Sequence, residues 1–271
     1  GDTIGIIAPA RKISPAEIEI SVNIFKSWGL NVVTGKYLFN EFNQFSGTDT
    51  QRTDDFNKMI YDDNIKAIIC ARGGYGTIKI IDKIDFEYFS QNPKWIVGYS
   101  DITVLHSHIN NLFGIETIHS IMPINFSANY EARLSIDSLK NALFGESINH
   151  ISNNHILNKK GESSGQIIGG NLSILYALSG TPSDINSGDK ILFIEDIDEY
   201  LYHIDRMMLN LKRSGKLKNL KGLIVGGMTD IKDNEIPFGF TAEEIILQAV
   251  QEYDYPVCFG FPSGHQSLNL A

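Results

Sequence analysis

The residue best placed to act as a nucleophile is Ser100. The segment KWIVGYSDITVLHSHI carries an apolar strand into Gly98-Tyr99-Ser100-Asp101 and then directly into a helix. Ser100 therefore falls on a sharp strand-to-helix turn, the geometry that exposes a nucleophilic hydroxyl. The backbone N–H of Asp101 lies at the helix N-terminus, where free donors and the helix dipole favour a developing oxyanion. The G-x-S-x-G pattern is incomplete, because Ile102 stands where its second glycine is expected. A serine at this position also fits simple helix capping.

A serine nucleophile needs a general base within hydrogen-bond reach and a carboxylate that fixes the base's tautomer. Seven histidines are available, and His265 stands out because the stretch Gly260 to His265 is a glycine-rich loop following a buried-type strand. Rigid strand ends of that kind display site residues. His106 and His108 sit two apart on a helix and point to different faces, with no third ligand nearby, so no metal is expected. His119, His150, His155 and His203 read as structural or solvent-exposed. The acidic run Glu195-Asp196-Ile197-Asp198-Glu199 ends the strand KILFIED. Asp198 and Glu199 suit the start of the next helix, whereas Glu195 follows directly on the apolar strand, partly desolvated, as an orienting carboxylate requires.

Arg72-Gly73-Gly74-Tyr75-Gly76 follows the strand KAIICA and opens a helix. Glycines there let backbone N–H groups approach a ligand closely, and a helix start favours anions. The spacing matches neither the dinucleotide fingerprint nor the P-loop, so no nucleotide cofactor is expected. A second oxyanion donor near Gly74, or part of a carboxylate pocket with Arg72, fits better, and a tight βα turn with no further role remains open.

These residues need a scaffold, and the chain of 271 residues has the composition for one. It holds 42% hydrophobic residues, and 23 basic against 32 acidic side chains leave a net charge of −9. An acidic chain without a Lys/Arg run argues against nucleic-acid or anionic-membrane surfaces. No apolar stretch approaches the roughly 18 residues of a membrane span, and the first residues do not resemble a signal peptide. Cys70 and Cys258 lie in apolar runs and read as free buried thiols in a reducing compartment.

Short apolar runs alternate with helical patterns through the first half, which predicts parallel βα units. Strands are expected near TIGIIA, NVVTG, KAIICA, KWIVGY and ETIHS. Helices are expected after the Ser14-Pro15-Glu17 capping signal, over 101–113 and over 134–144. Residues 146–164 read as a linker. A second domain from 165 shows strands at KILFIED, KGLIVGG and YPVCFGF, with helices over 172–178, 201–212 and 242–251. The expected fold is α/β, with an N-terminal Rossmann-like parallel sheet flanked by helices over 1–145. A smaller C-terminal α/β domain over 165–271 is expected to hold a mixed or barrel-like sheet.

Six blocks in order resemble the LD-carboxypeptidase family of serine peptidases: Arg72 to Gly76, Gly98 to Asp101, Gly169 to Leu172, Ile194 to Asp196, Tyr202 to Leu211 and Gly260 to His265. The resemblance places the family's nucleophile on Ser100, its carboxylate on Glu195 and its base on His265, a triad completed across two domains. It places the oxyanion donors on backbone amides around Gly74 and Asp101. It implies hydrolysis without a metal or cofactor, the terminal D-Ala of a murein tetrapeptide being removed in cytoplasmic cell-wall recycling by a homodimer. Arg72, Tyr75, Asn171 and Arg206 are the substrate-binding candidates, since a carboxypeptidase needs donors for the free carboxylate. Family members continue past the His loop with a further strand, so the C-terminal domain is expected to be incomplete here. Relatives of the microcin C immunity type cleave aminoacyl or peptidyl sulfamoyl-adenylates with the same triad and an aromatic loop that stacks on adenine. The segment between Ser100 and Glu195 has no Trp, which favours the murein reading. The competing class is a non-catalytic two-domain module that holds an anion at the RGGYG turn.

Overall fold

The computed structural model, which describes residues 1–271, contains two parallel sheets in sequence along the chain. The first is built from β1 (Thr3–Ile7), β2 (Asn31–Thr34), β3 (Ile65–Cys70), β4 (Trp95–Gly98) and β5 (Ile118–His119). Its order is β2-β1-β3-β4-β5, every neighbouring pair parallel. Parallel neighbours need long crossovers, and helices supply most of them. These are α1 (Pro15–Ser27), α2 (Asp49–Tyr61), α3 (Phe86–Gln91) and α4 (Thr103–Phe113), with α5 (Tyr130–Leu143) following β5. Buried apolar residues cover both faces of the sheet. Phe56, Ile60, Ile68 and Leu105 belong to one cluster, and Phe25, Ile69, Val97 and Leu139 to another. Two-sided burial explains why the strands read as continuous apolar runs.

Local signals set the helix ends. Glu17 accepts the Ser14 backbone N–H at 2.7 Å at the start of α1. Gly114, with φ of 64°, and Gly145, with φ of 71°, follow α4 and α5 in the left-handed region that glycine adopts without strain. Three helices depart from the sequence reading: α2 is strongly polar, with little apolar periodicity to announce it, α3 is only 6 residues long and is not among the expected helices, and α5 starts earlier, behind the Asn129 cap.

The second sheet holds β6 (Ile167–Asn171), β7 (Ile191–Ile197), β8 (Gly222–Thr229) and β9 (Val257–Cys258), ordered β6-β7-β8-β9. All three pairings are parallel, so the expectation of a mixed or barrel-like sheet is corrected. The physical reason is the connectivity: α6 (Leu172–Ala177), α7 (Leu201–Arg213) and α8 (Ala242–Val250) each carry the chain back to start the next strand in the same direction. Its core gathers Leu192, Ile194, Met207, Leu211, Val225 and Ile246, among others. Residues 146–164 contain no helix or strand and lie against the second sheet through the Lys159–Val257 bridge, the Asn158 side chain, which accepts the Phe259 N–H at 2.7 Å, and Leu157, which packs on its core.

The two sheets meet at the ends of their strands. The Asn171 N–H donates to Thr103 Oγ1 at 3.0 Å, and Gly170 sits where any Cβ would strike Thr103, 2.5 Å from that oxygen. A side chain at 170 would force the start of α6 away from α4.

Candidate active site

Ser100 closes the turn between β4 and α4 with φ of 64°, in the left-handed region that few non-glycine residues occupy. Gly98 precedes it, and a Cβ there would press on Ile102 at 2.8 Å, so the tight turn depends on a glycine at that point. A 3₁₀ turn over Ser100–Ile102 then leads into the helix. Strain at a turn of this kind is the mark of a side chain being displayed.

Glu195 lies on β7, where the register against β8 shifts between Ile194 and Asp196. A bulge re-aims a side chain, and Glu195 is fully buried with its carboxylate against the loop after β9. That loop brings His265 to it. Glu195 Oε2 accepts from His265 Nδ1 at 2.7 Å and from the His265 backbone N–H at 3.0 Å. Gly264, with φ of 103°, makes the approach possible, since a Cβ there would lie 2.6 Å from Glu195 Cβ. His265 Nε2 lies 3.0 Å from Ser100 Oγ. With Nδ1 donating to the carboxylate, Nε2 carries the lone pair that accepts the serine hydroxyl proton. The Tyr99 ring packs 4.8 Å from the imidazole; burial, and then the Glu195 charge, push the phenol up to about 12, so it stays neutral.

The loop after β3 closes over Ser100. A Cβ on Gly73 would sit 3.0 Å from Ser100 Cβ and 3.3 Å from the Asp101 nitrogen, so the missing side chain lets the two turns touch without crowding. The loop is anchored from below. Arg52, 2% exposed, donates through Nη1 to the Gly76 carbonyl at 2.9 Å and also to that of Pro9. Thr77 N–H donates to Asp101 Oδ2 at 2.9 Å, tying the loop to the serine turn. Burial raises the Asp101 carboxyl, which those Thr77 bonds and then Arg52 partly offset.

The structure thus brings together Ser100, Glu195, His265, Asp101 and the glycine loop with Gly74, and it separates the remaining candidates. Asn171 is buried and committed: its Nδ2 donates to Asp196 Oδ1 at 2.9 Å and its Oδ1 caps α6 at the Ile174 N–H. One N–H of the amide and its oxygen are thus held by the protein, and the side chain stays at the buried junction of β6 and α6. Arg72 turns toward α1, donating to the Lys12 carbonyl at 3.0 Å and lying 3.8 Å from Glu17. Its guanidinium is thus directed at α1 and the loop before it. Arg206 is exposed on α7, stacked 5.2 Å from the Tyr202 ring, with no contact to the serine, histidine or glutamate. Tyr75 is exposed at the tip of the glycine loop, beside Phe45. His106 and His108 bond to separate partners, Gly98 and Thr117 for the first and Ser183 for the second.

One buried carboxyl that the sequence reading passed over is Asp196. It receives the Asn171 amide, the Ser173 N–H and the Ile197 N–H, and burial together with the adjacent Glu195 charge pushes it up to about 7. Its position next to Glu195 on a strand was the available signal, and the outward-facing alternative for an acidic run obscured it. A cavity of about 610 Å³ lies between β5 and β6 and is lined by His106, His119 and Phe193, with none of Ser100, Glu195 or His265 on its walls.

Family models for the LD-carboxypeptidase N-terminal domain and the LD-carboxypeptidase C-terminal domain match residues 4–120 and 164–271. The chain belongs to the LD-carboxypeptidase family. It is 34% identical to a probable murein peptide carboxypeptidase of Bacillus subtilis, over 100% of this chain and 86% of that one. It is 27% identical to the microcin C7 self-immunity protein of Escherichia coli, over 98% of this chain and 86% of that one. The crystal structure of a muramoyltetrapeptide carboxypeptidase from Oxalobacter formigenes superposes with a TM-score of 0.87 at 26% identity, covering 99% of this chain and 91% of that one. LD-carboxypeptidase membership makes the protein a hydrolase of the carboxypeptidase class, and the α/β architecture of two packed parallel-sheet units is that of its structural neighbours.

Proposed function

We propose that the protein is a serine-type LD-carboxypeptidase that removes the terminal D-Ala from murein tetrapeptide through an acyl-enzyme. The observation that carries this reading is the continuous relay from Ser100 Oγ to His265 Nε2 at 3.0 Å and from His265 Nδ1 to Glu195 Oε2 at 2.7 Å. His265 Nε2 takes the hydroxyl proton as Oγ attacks the amide carbonyl. The tetrahedral oxyanion is held by backbone N–H groups at Gly74 and Asp101, preorganised donors that cost no reorganisation as charge develops. Collapse of the intermediate breaks the C–N bond, and the imidazolium returns its proton to the departing D-Ala amine. Water, deprotonated by the same nitrogen, then attacks the Ser100 ester and releases the shortened peptide. Glu195 keeps Nδ1 protonated and stabilises the imidazolium throughout. Hydrolysis needs no cofactor in this scheme, and cell-wall recycling in the cytoplasm is the setting in which such a substrate arises.

Three residues from two sheets converging at hydrogen-bond distance favour catalysis over a passive anion module. A serine-reactive phosphonate probe followed by intact-mass analysis tests this. Wild type should gain one adduct, and Ser100→Ala and His265→Ala should gain none. Labelling that persists in Ser100→Ala would reject Ser100 as the nucleophile.

A further inference from the structure

The order of the first sheet reverses between β1 and β3, and open α/β sheets bind ligands outside the carboxyl ends of strands at such a point. Three loops crowd there: Ala8 to Arg11 after β1, Arg72 to Gly76 after β3 and the Ser100 turn after β4. Most cations of this corner are spoken for. Arg72 bonds to the Lys12 carbonyl and lies near Glu17, Lys12 pairs with Glu41 at 2.6 Å, and Arg52 is buried under the glycine loop. Arg11 is the exception: it is exposed, and its side chain makes no hydrogen bond or ion pair.

Its position is fixed all the same. The Arg11 backbone bridges to Phe45, and the neighbouring Lys12 N–H donates to the Gln44 carbonyl at 2.9 Å. The side chain then runs across Gly74, close enough that a Cβ on that residue would lie 2.5 Å from Arg11 Cδ and 2.8 Å from Nε. Gly74 thus leaves the space that Arg11 occupies. Its neighbour Gly73 abuts Ser100 in the same way, since a Cβ there would lie 3.0 Å from Ser100 Cβ. Adjacent residues of one loop, about 3.8 Å apart along the chain, thus touch the nucleophile and the Arg11 stem in turn. A carboxypeptidase that releases a single amino acid needs donors for the carboxylate one residue beyond the scissile carbonyl, and a cation placed there supplies them.

We propose that Arg11 binds the C-terminal carboxylate of the peptide substrate and so sets the preference for cleaving the last residue. The assignment rests on the peptidase reading of Ser100. A guanidinium suits the task because its planar fork of donors matches a carboxylate in two parallel bonds, which an ammonium cannot do. Before substrate arrives the fork is unpaired, and the stem that carries it already lies against the glycine loop at Gly74.

The test compares two tetrapeptides that differ only at the end, one a free acid and the other a C-terminal amide. Wild type should favour the free acid in kcat/KM. Arg11→Ala should lower kcat/KM on the free acid by about ten- to a hundredfold, mainly through KM, and collapse the acid-to-amide ratio toward one. Arg11→Lys should restore part of the ratio. A thermal melt of each variant separates loss of fold from loss of recognition. Equal losses on both peptides, or an unchanged ratio in Arg11→Ala, would overturn the assignment while leaving the peptidase reading intact. Wild type that cleaves neither peptide would refute the peptidase reading and this assignment with it.

Discussion

Replacing Ser100 with glycine should make the protein more stable than replacing it with alanine, the reverse of what the two substitutions do in an ordinary helix. Both variants lose Oγ and its bond to His265, so that contribution cancels in the comparison. What differs is the backbone. Ser100 has φ of 64°, a conformation that costs a residue bearing a Cβ about 1–2 kcal/mol. Alanine keeps that cost and glycine removes it. Against this, glycine gives the unfolded chain extra freedom, which costs about 0.4–1 kcal/mol. The balance favours Ser100→Gly by about 0.7 kcal/mol, which for a chain of this size raises Tm by roughly 2 °C over Ser100→Ala. Scanning calorimetry of the two variants at one scan rate and pH provides the measurement, with both expected to be inactive on peptide. If Ser100→Ala melts at or above Ser100→Gly, the turn stores no strain and the argument that the fold displays Ser100 at a conformational cost fails.

Gly73 lacks the positive φ of Gly74, so Gly73→Ala meets only the crowding against Ser100 and the Asp101 nitrogen. Those atoms must shift by a few tenths of an ångström, and kcat/KM should fall about ten- to a hundredfold while stability drops by about 1 kcal/mol. Activity within twofold of wild type would show that the two turns are less tightly coupled than their contacts indicate. Buried His106 gives a pH prediction. Desolvation holds its imidazole down to about 4, so the native state favours the neutral ring over the unfolded chain, whose imidazole titrates near 6.5. Its contribution is fully present above about 6.5 and is lost as pH falls from there through about 4, by up to about 3 kcal/mol. Urea unfolding at pH 7.5 and 4.5 should show a smaller acid loss for His106→Gln than for wild type, and equal losses would contradict the assignment.

The individual site residues were legible in the sequence because each sits at a junction with a local signature. Ser100 follows an apolar strand and opens a helix, Glu195 emerges from a second apolar strand, and His265 ends a Gly-Phe-Pro-Ser-Gly loop. Their meeting was not legible from local pattern. It depends on contacts such as Gly170 against Thr103 and Gly264 against Glu195, between segments far apart in the chain. The same limit hid the partners of two polar candidates. Asn171 reads as a free amide until Asp196 is seen beneath it, and Arg72 reads as a free cation until α1 places Glu17 beside it. Arg11, in the run Ala-Pro-Ala-Arg, has no local signature, and only the fold puts it across Gly74. In the scaffold, β6 was hidden by the Gly-Gly pair within it, and α2 by a polar sequence whose helix rests on its Thr48 cap and on burial of Phe56 and Ile60.

The most direct test of the central claim is mass spectrometry of murein tetrapeptide incubated with wild type and with Ser100→Ala. The account predicts loss of one alanine residue by wild type alone, leaving the tripeptide as the sole other product. An intact tetrapeptide in both reactions, with turnover of an aminoacyl sulfamoyl-adenylate by wild type instead, would contradict the murein assignment. Equal cleavage by Ser100→Ala would remove Ser100 from the chemistry.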